Sequence, residues 1–417
     1  VAFHSKKHKS NCNNNKMLSS FAKMITHRQL FLQHMAQTTD APLMLEIERA
    51  EGVHLFDTNG KSYLDLISGI GVSNVGHRHP EVLKAIQEQL DKYMHLMVYG
   101  EYIQAPQTLF AKALTDALHP TLNSCYFVNS GAEATDAAMK LAKRFTGRTE
   151  LVACYNAYHG SSQGPLSLNS DSYFSNAYRP LLPDINFIHF NTTDDLAKIT
   201  SRTAAVFIEP VQGEAGYLPA EQSYLDALRK RCNETGALLI FDEIQTGFGR
   251  TGSLFAFHQY NIVPDMLLLA KGMAGGMPMG ALVAPHHIMQ AFSFNPILGH
   301  ITTFGGHPVN SAAAMATLKI LQHSNLIQQV AAKEALFRKH LQHPAIQSVS
   351  GKGLMLAIDL GSFEQNKRII DLCIADGLIT DWFLFASHKM RIAPPLIISE
   401  EQIIQSCEII VKNINAA

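Results

Sequence analysis

Apolar residues recur along this chain with two different periods. In the stretch 81–92 (EVLKAIQEQLDK), Val82, Ile86 and Leu90 fall four apart, on one face of a helix. The stretch 133–146 repeats the pattern with Ala134, Ala138, Leu141, Ala142 and Phe145, and Gly147 supplies a C-terminal stop. A third helix is expected over 222–233. Between the helices lie short, near-continuous apolar runs: Tyr126–Val128, Ala204–Ile208, Ala237–Phe241 and Met266–Ala270. Such runs suit parallel strands covered on both faces. Their alternation with helices predicts an α/β fold built from right-handed βαβ units. No internal repeat or low-complexity linker interrupts it, and no apolar run is long enough to span a membrane.

Each apolar run stops at a polar residue. The four endings are Asn129-Ser130-Gly131, Glu209-Pro210, Asp242-Glu243 and Lys271-Gly272. Open parallel sheets bind ligands beyond the carboxyl ends of their strands, so Ser130, Glu209, Asp242 and Lys271 are expected on one rim. Any one of them alone could be a solvated strand end. Ser130-Gly131-Ala132 opens a helix, where free N–H groups and the positive helix end suit a phosphate. The same residues also read as a plain capping box, Ser130 with Glu133. A lysine ending a buried strand has its pKa lowered and its amine made available. A carboxylate beside it, Asp242, can hold a proton on a heteroaromatic nitrogen. A phosphate anchor, a Schiff-base lysine and a pyridinium-pairing acid are what pyridoxal 5'-phosphate requires. No GxxxxGK[ST] loop is present, and the two histidines of His77-Arg78-His79 are too few for a metal site.

Composition narrows the class. The 417 residues suit about two domains. They carry 34 Lys+Arg and 35 Asp+Glu, only 17% charged against about 25% in a typical soluble chain. Less charge means less surface facing water, which points to a large subunit interface. The near-neutral balance argues against a nucleic-acid partner, and 47% apolar content excludes a disordered chain. Cys12, Cys125, Cys154, Cys232, Cys373 and Cys407 show neither disulfide nor ligand spacing, consistent with a cytoplasmic protein. The start is basic and free of acids before Asp40, with Lys6, Lys7, Lys9, Lys16, Lys23 and Arg28. It reads as a transit peptide, an unstructured leader or an arm on a partner subunit, and Met17 is a candidate natural start.

From about Glu51 onward the chain resembles the class III pyridoxal-phosphate aminotransferases of fold type I, the group of ornithine, acetylornithine and 4-aminobutyrate aminotransferases. The resemblance rests on NSGAEATDAAMKLAKRFTGR (129–148), YHG (158–160), IEPVQGEAG (208–216), FDEIQTGFGRTG (241–252), LAKGMAGGMPMGA (269–281), TTFGGHP (302–308), GKGLM (351–355) and MRIAPPL (390–396). It implies a large domain over 70–315 with a mainly parallel sheet flanked by helices. A smaller α+β domain would combine 1–69, which includes the N-terminal arm, with 316–417. Lys271 would carry the cofactor and move the proton, and Asp242 would pair with the ring nitrogen. Gln245 would bond the phenolic oxygen, with Ile244 and Tyr158 on the two ring faces. Gly131 and Ala132, with Ser130 beside them, would hold the phosphate. Thr303 would reach it from a neighbouring subunit, making the enzyme a homodimer with a shared site. Arg391 would take the substrate carboxylate and pair with Glu209 in its absence.

Other polar positions are expected to be structural. Glu214 would steady the GEAG turn, the Arg250 loop would be anchored by ion pairs, and His159 would neighbour the ring without acting as a base. Trp382 would lie in the core or an interface. The chain departs from the family at Ser161-Ser162-Gln163, where Arg-Thr commonly follows the YHG, and at His307 in GGHP. Without that arginine, N-acetylornithine, succinylornithine and 4-aminobutyrate are disfavoured as donors. Tyr99 and Tyr102 would line a pocket for a basic or neutral ω-amine such as ornithine, lysine or a diamine. A 2-oxo acid, 2-oxoglutarate or pyruvate, would accept the amino group by ping-pong. The motifs hold the cofactor and not the reacting bond. A racemase or epimerase, an aminomutase or a decarboxylating relative therefore shares nearly all of them, whereas intact Lys271, Asp242 and Arg391 argue against a non-catalytic PLP-fold binding protein.

Overall fold

The computed structural model describes residues 25–98 and 100–417. The basic run from Lys6 to Lys23, Met17, Cys12 and Tyr99 lie outside the described residues. A seven-stranded sheet forms the centre. From edge to edge its strands are Ser124–Val128, Gly280–Ala284, Met266–Leu269, Leu238–Asp242, Thr203–Ile208, Glu150–Cys154 and Ile185–Ile188. The four expected strands are all present. Three were not anticipated: Glu150–Cys154, the half-buried edge strand Ile185–Ile188, and Gly280–Ala284.

Gly280–Ala284 runs antiparallel to both neighbours, whereas the remaining pairs are parallel. The reason is connection length. Only residues 270–279 separate it from Met266–Leu269, and a parallel crossover needs about a dozen residues or more.

Successive side chains along the central strands enter two different cores, as the two-residue strand period requires. Val206, Ile208, Leu239, Phe241, Leu267 and Leu269 enter one core. Phe207, Ile240, Met266 and Leu268 enter the other. The helix Gly131–Thr146 covers the second face with Ala134, Ala137, Ala138 and Leu141. The helix Gln222–Thr235 covers the first with Leu225, Leu228 and Cys232. Both faces are therefore apolar, and polar chemistry is pushed to the strand ends.

The helix starts carry the expected caps, with one difference. Ser130 Oγ accepts from the Glu133 amide at 3.2 Å. The reciprocal half of the box is absent: Glu133 Oε2 accepts from the backbone and side-chain nitrogens of Asn129, at 2.8 and 2.9 Å. Asn129 takes the carboxylate because its amide and side chain converge on one oxygen. Gly147 closes the helix at φ 70°. The expected helix over 81–92 is Pro80–Leu90, capped by His79.

Two smaller sheets flank this unit. In one, Ile47–Glu51, His54–Asp57 and Ser62–Asp65 are joined by Leu378–Ile379, which pairs parallel with Leu64 and Asp65. In the other, Ser348–Lys352, Met355–Asp359 and Lys389–Ile392 are antiparallel. Segments from both ends of the chain thus meet. Trp382 is half-buried against the core, with its ring edge-on to Phe363 at 5.5 Å. Among the described residues no helix is long and apolar enough to cross a membrane.

Two tests follow from this packing. Gly280 lies opposite Val128, and a Cβ there would stand 2.4 Å from the Ser130 carbonyl oxygen. Gly280→Ala is expected to destabilise the protein by about 1–3 kcal/mol, the range for overpacking, as read by urea unfolding. Glu243, fully buried after Leu238–Asp242, accepts from the Ala256 and Phe257 amides at 2.6 and 2.7 Å. Burial pushes its carboxyl up from 4.5 to about 7, against the opposing pull of those amides. A raised folded pKa means that the folded state binds the extra proton. Its stabilisation is complete below about 4.5 and lost as the pH rises through about 7. Relative to Glu243→Gln, wild type should lose on the order of 3 kcal/mol across that window; an unchanged difference between the two would contradict the assignment.

Candidate active site

The strand ends enclose a cavity of about 410 Å³. Ser130, Gly131, Ala132, Tyr158, Glu209, Asp242, Ile244, Gln245 and Lys271 all line it. Val72, Ser161 and Met279 complete parts of the wall, and no arginine is among its lining residues.

Lys271 leaves its strand at φ 43° and begins a short 3₁₀ turn. This is a left-handed conformation that a side-chain-bearing residue adopts only when its surroundings hold it. Gly272 follows because a Cβ there would lie 2.5 Å from Asn74 Nδ2. Among the described residues Lys271 Nζ has no hydrogen-bond partner. Burial lowers its pKa, with Glu214 opposing and Arg391 assisting.

Asp242 ends its strand, 4% exposed. Its Oδ1 accepts from the Ile244 amide at 3.0 Å, and its Oδ2 meets His159 Nδ1 at 2.7 Å. Burial disfavours the imidazolium of His159, but the Asp242 hydrogen bond and charge, with Glu209, outweigh it and raise its pKa. His159 therefore bonds Asp242 directly and orients it at the cavity. His159 Nε2 and Gln245 Oε1 are buried with no partner. Gln245 Nε2 donates to Ile70 O at 3.3 Å.

Gly131 packs closely on Ile244: a Cβ there would lie 2.7 Å from Ile244 Cδ1 and push that side chain aside. The amides of Gly131 and Ala132 head a helix of 16 residues and can take an anion. Tyr158 and Ile244 are both cavity walls, and the Tyr158 hydroxyl lies 2.9 Å from Ser161 Oγ.

Arg391 departs from expectation. It is 1% exposed and does not pair with Glu209. Its Nη2 contacts both Glu214 carboxylate oxygens, at 3.1 and 3.0 Å, and its Nε meets Asp381 Oδ1 at 2.7 Å. Glu209 instead accepts from the Tyr158 and Gly213 amides at 3.2 and 3.0 Å. The turn following Pro210 puts Glu214, not Glu209, against the guanidinium. Glu214 is thus more than a turn stabiliser, and Asp381, which no motif marked, was missed. Burial pushes Glu209 up to about 7, with His159 opposing and Asp242 assisting. Glu214, buried but facing Arg391, is held below the usual carboxylate range.

Thr303 is exposed and does not line the cavity of its own chain. Tyr102, 54% exposed, does not line it either. The residues present fit pyridoxal phosphate. An uncommitted lysine, a buried carboxylate, an unpartnered amide oxygen and a free helix N-terminus converge on one space of suitable size. Among the described residues no cluster could hold a metal ion.

Known proteins with the same pattern agree. Residues 35–414 match the family described as aminotransferase class-III. An acetylornithine aminotransferase of Archaeoglobus fulgidus is 35% identical over 378 residues, covering 90% of this chain and 97% of that one. A [LysW]-aminoadipate semialdehyde/glutamate semialdehyde transaminase of Sulfolobus acidocaldarius is 37% identical over 322 residues, 76% of this chain and 82% of that one. Among solved structures, an ornithine aminotransferase of Toxoplasma gondii, seen with partial occupancy of pyridoxal phosphate, superposes with a TM-score of 0.85. Its identity is 27%, with 94% and 95% of the two chains covered. A Bacillus anthracis aminotransferase gives a TM-score of 0.87 at 26% identity, over 94% and 98%. The chain belongs to the class-III aminotransferase family and is a pyridoxal-phosphate-dependent aminotransferase of fold type I.

Proposed function

We propose that this enzyme moves the terminal amino group of an ornithine- or lysine-like donor, or of a diamine, to a 2-oxo acid, with Lys271 carrying both the cofactor and the proton. The observation behind this reading is Lys271 itself: half-buried, without a hydrogen bond among the described residues, and facing the Asp242–His159 pair across one cavity. When bound, pyridoxal phosphate supplies an electrophilic carbon and a ring that accepts electron density from the donor's C–H bond. The chain's own groups do the rest. Asp242, hydrogen-bonded to His159, would hold a proton on the ring nitrogen. Gln245, whose amide lines the cavity, would hydrogen-bond the phenolic oxygen. The Gly131 and Ala132 amides, with Ser130, hold the phosphate, and Ile244 and Tyr158 grip the ring faces.

Lys271, its pKa lowered by burial, takes a proton from one carbon and returns it to another. Arg391 binds the carboxylate of the amino acid or oxo acid as a planar two-pronged donor. Glu214 occupies it otherwise and must release it. Glu209 fixes the Tyr158 turn to the Gly213 loop.

The donor class rests on the cavity wall. Ser161 contributes a hydroxyl, no arginine lines the cavity, and Glu209, Glu214 and Asp242 do. Such a wall disfavours a second carboxylate on the donor. The relative named for acetylornithine carries the donor that this wall disfavours, so the two grounds point to different donors.

The active unit in this reading is a homodimer in which Thr303 reaches the partner's phosphate site. Its support is the exposure of Thr303 beside apolar Phe304 (53% exposed), with Ile297 (76%) and Ile103 (95%) also bare. Tyr102 and Tyr99 belong to the same reading as entrance residues. The division into a large domain over 70–315 and a small one from 1–69 and 316–417 is supported by the two flanking sheets. The described cysteines are all free, which fits the cytoplasm.

Lys271→Ala should still fold but lose the visible band of the lysine-bound cofactor. Its turnover should fall by ~10²–10⁴-fold, the range for removing a proton-transferring group. Unchanged turnover would sink the assignment. A stopped-flow screen of amines against the bound cofactor should rank ornithine, lysine or a diamine first, with the spectrum restored only by a 2-oxo acid. Restoration without an oxo acid would indicate racemisation or mutase chemistry. A first rank for 4-aminobutyrate or N-acetylornithine would overturn the inference from Ser161.

A further inference from the structure

Arg250 is a buried cation that the chemistry above leaves unused. It is 0% exposed, and among the described residues the expected ion pairs are absent. All four of its hydrogen-bond acceptors among the described residues are neutral. They are Leu354 O at 3.2 Å, Ser68 Oγ at 3.3 Å, Pro394 O and Asn74 Oδ1. Its Nε has no partner at all. Burial pushes its pKa down to about 10, against Tyr217 and Asp65, so it stays protonated at neutral pH. A buried charge without a counter-charge is expensive, and one held this way needs a reason in the structure.

The reason lies in what it touches. Ser68 begins a turn in which Ser68, Gly69, Ile70 and Gly71 all have left-handed φ, at 48°, 64°, 62° and 75°. Left-handed residues other than glycine are strained by roughly 1–2 kcal/mol each, and a β-branched one such as Ile70 especially so. Something outside the turn must hold it. Arg250 holds the Ser68 hydroxyl, which itself donates to Ala393 O at 2.6 Å. Two backbone bonds, Ala393 N to Leu66 O at 2.7 Å and Leu396 N to Asn74 O at 2.8 Å, complete the seam.

The turn supports the cavity from behind. Ile70 O takes the Gln245 amide, and a Cβ on Gly71 would stand 3.3 Å from Gln245 Cγ. Asn74 packs on Gly272, next to Lys271, and Val72 is part of the cavity wall. On the other side of the seam, residues 393–396 begin two positions after Arg391.

We propose that Arg250 is a positioning residue that clamps the left-handed turn Ser68–Gly71 to the 393–396 segment, and so fixes Lys271 and Gln245 at the cavity relative to Arg391, which lies behind the Glu214 wall. The clamp is a feature of the bare chain; its consequence for catalysis rests on the roles proposed above. A forked guanidinium bridges two segments, whereas a lysine offers one point of contact.

The test uses Arg250→Lys and the milder Ser68→Ala, so that a result survives if the first fails to fold. In cofactor-free protein, amide exchange in peptides covering 66–74 and 391–396 should quicken together, by about tenfold or more, as expected for a lost charge-assisted hydrogen bond. The strand Leu238–Asp242 should not change. In the loaded enzyme, KM for the carboxylate-bearing donor should rise about tenfold while a donor amine lacking a carboxylate is affected less. Unchanged exchange, or exchange quickened in only one of the two segments, would rule out the clamp. Quickened exchange with unaltered KM would leave Arg250 structural and overturn its positioning role. If wild type proved not to transaminate, the reaction assigned above would fail while the exchange result still judged the clamp.

Discussion

Burial of the central sheet on both faces is the constraint from which the site follows. Along Thr203–Ile208, Leu238–Asp242 and Met266–Leu269 every residue is buried, and apart from Thr203 at its strand's start, polar side chains appear only as the strands finish. Five parallel strands, with Ser124–Val128 running the same way at the edge, finish on one rim. The return strand Gly280–Ala284 begins there. Glu209, Asp242 and Lys271 are brought together because they end adjacent strands, and Ser130 joins them at the head of a helix. A one-residue change of register would send each of them into the opposite core.

Charge inside this rim is arranged in pairs. Asp242 has His159, and Arg391 has Glu214 and Asp381. Buried pairs add little net stability, because desolvation offsets most of their attraction. Their value here is in fixing protonation states and geometry. Among the described residues around this rim, two basic side chains stand outside the pairing. Lys271 has no partner, which keeps its amine reactive, and Arg250 is held by neutral oxygens from distant parts of the chain. Glu209 is buried but held only by amides, so its carboxyl rises toward neutrality.

Much of this was legible in the sequence, because the informative features were local. Periodicity located the helices at Pro80–Leu90, Gly131–Thr146 and Gln222–Thr235, and continuous apolar runs located four strands. The polar residue after each run pointed to the rim. What was not legible depends on contacts remote in the chain. Gly280–Ala284 is as apolar as its parallel neighbours, and only the short connection before it reverses its direction. Ile185–Ile188 is an edge strand with weak patterning. Glu209 and Glu214 lie in one motif, and the turn between them decides which meets Arg391. Asp381 has no motif, and the acceptors of Arg250 come from residues more than a hundred positions away on either side. Glu133 was expected to close a capping box, but Asn129 offered two donors at once.

The central claim is that Lys271 carries the cofactor at the rim of this sheet. Borohydride reduction of the holoenzyme, followed by peptide mass mapping, tests it most directly. The account predicts one phosphopyridoxyl group per chain, on the peptide containing Lys271. A label on any other lysine, or none after incubation with pyridoxal phosphate, would contradict it.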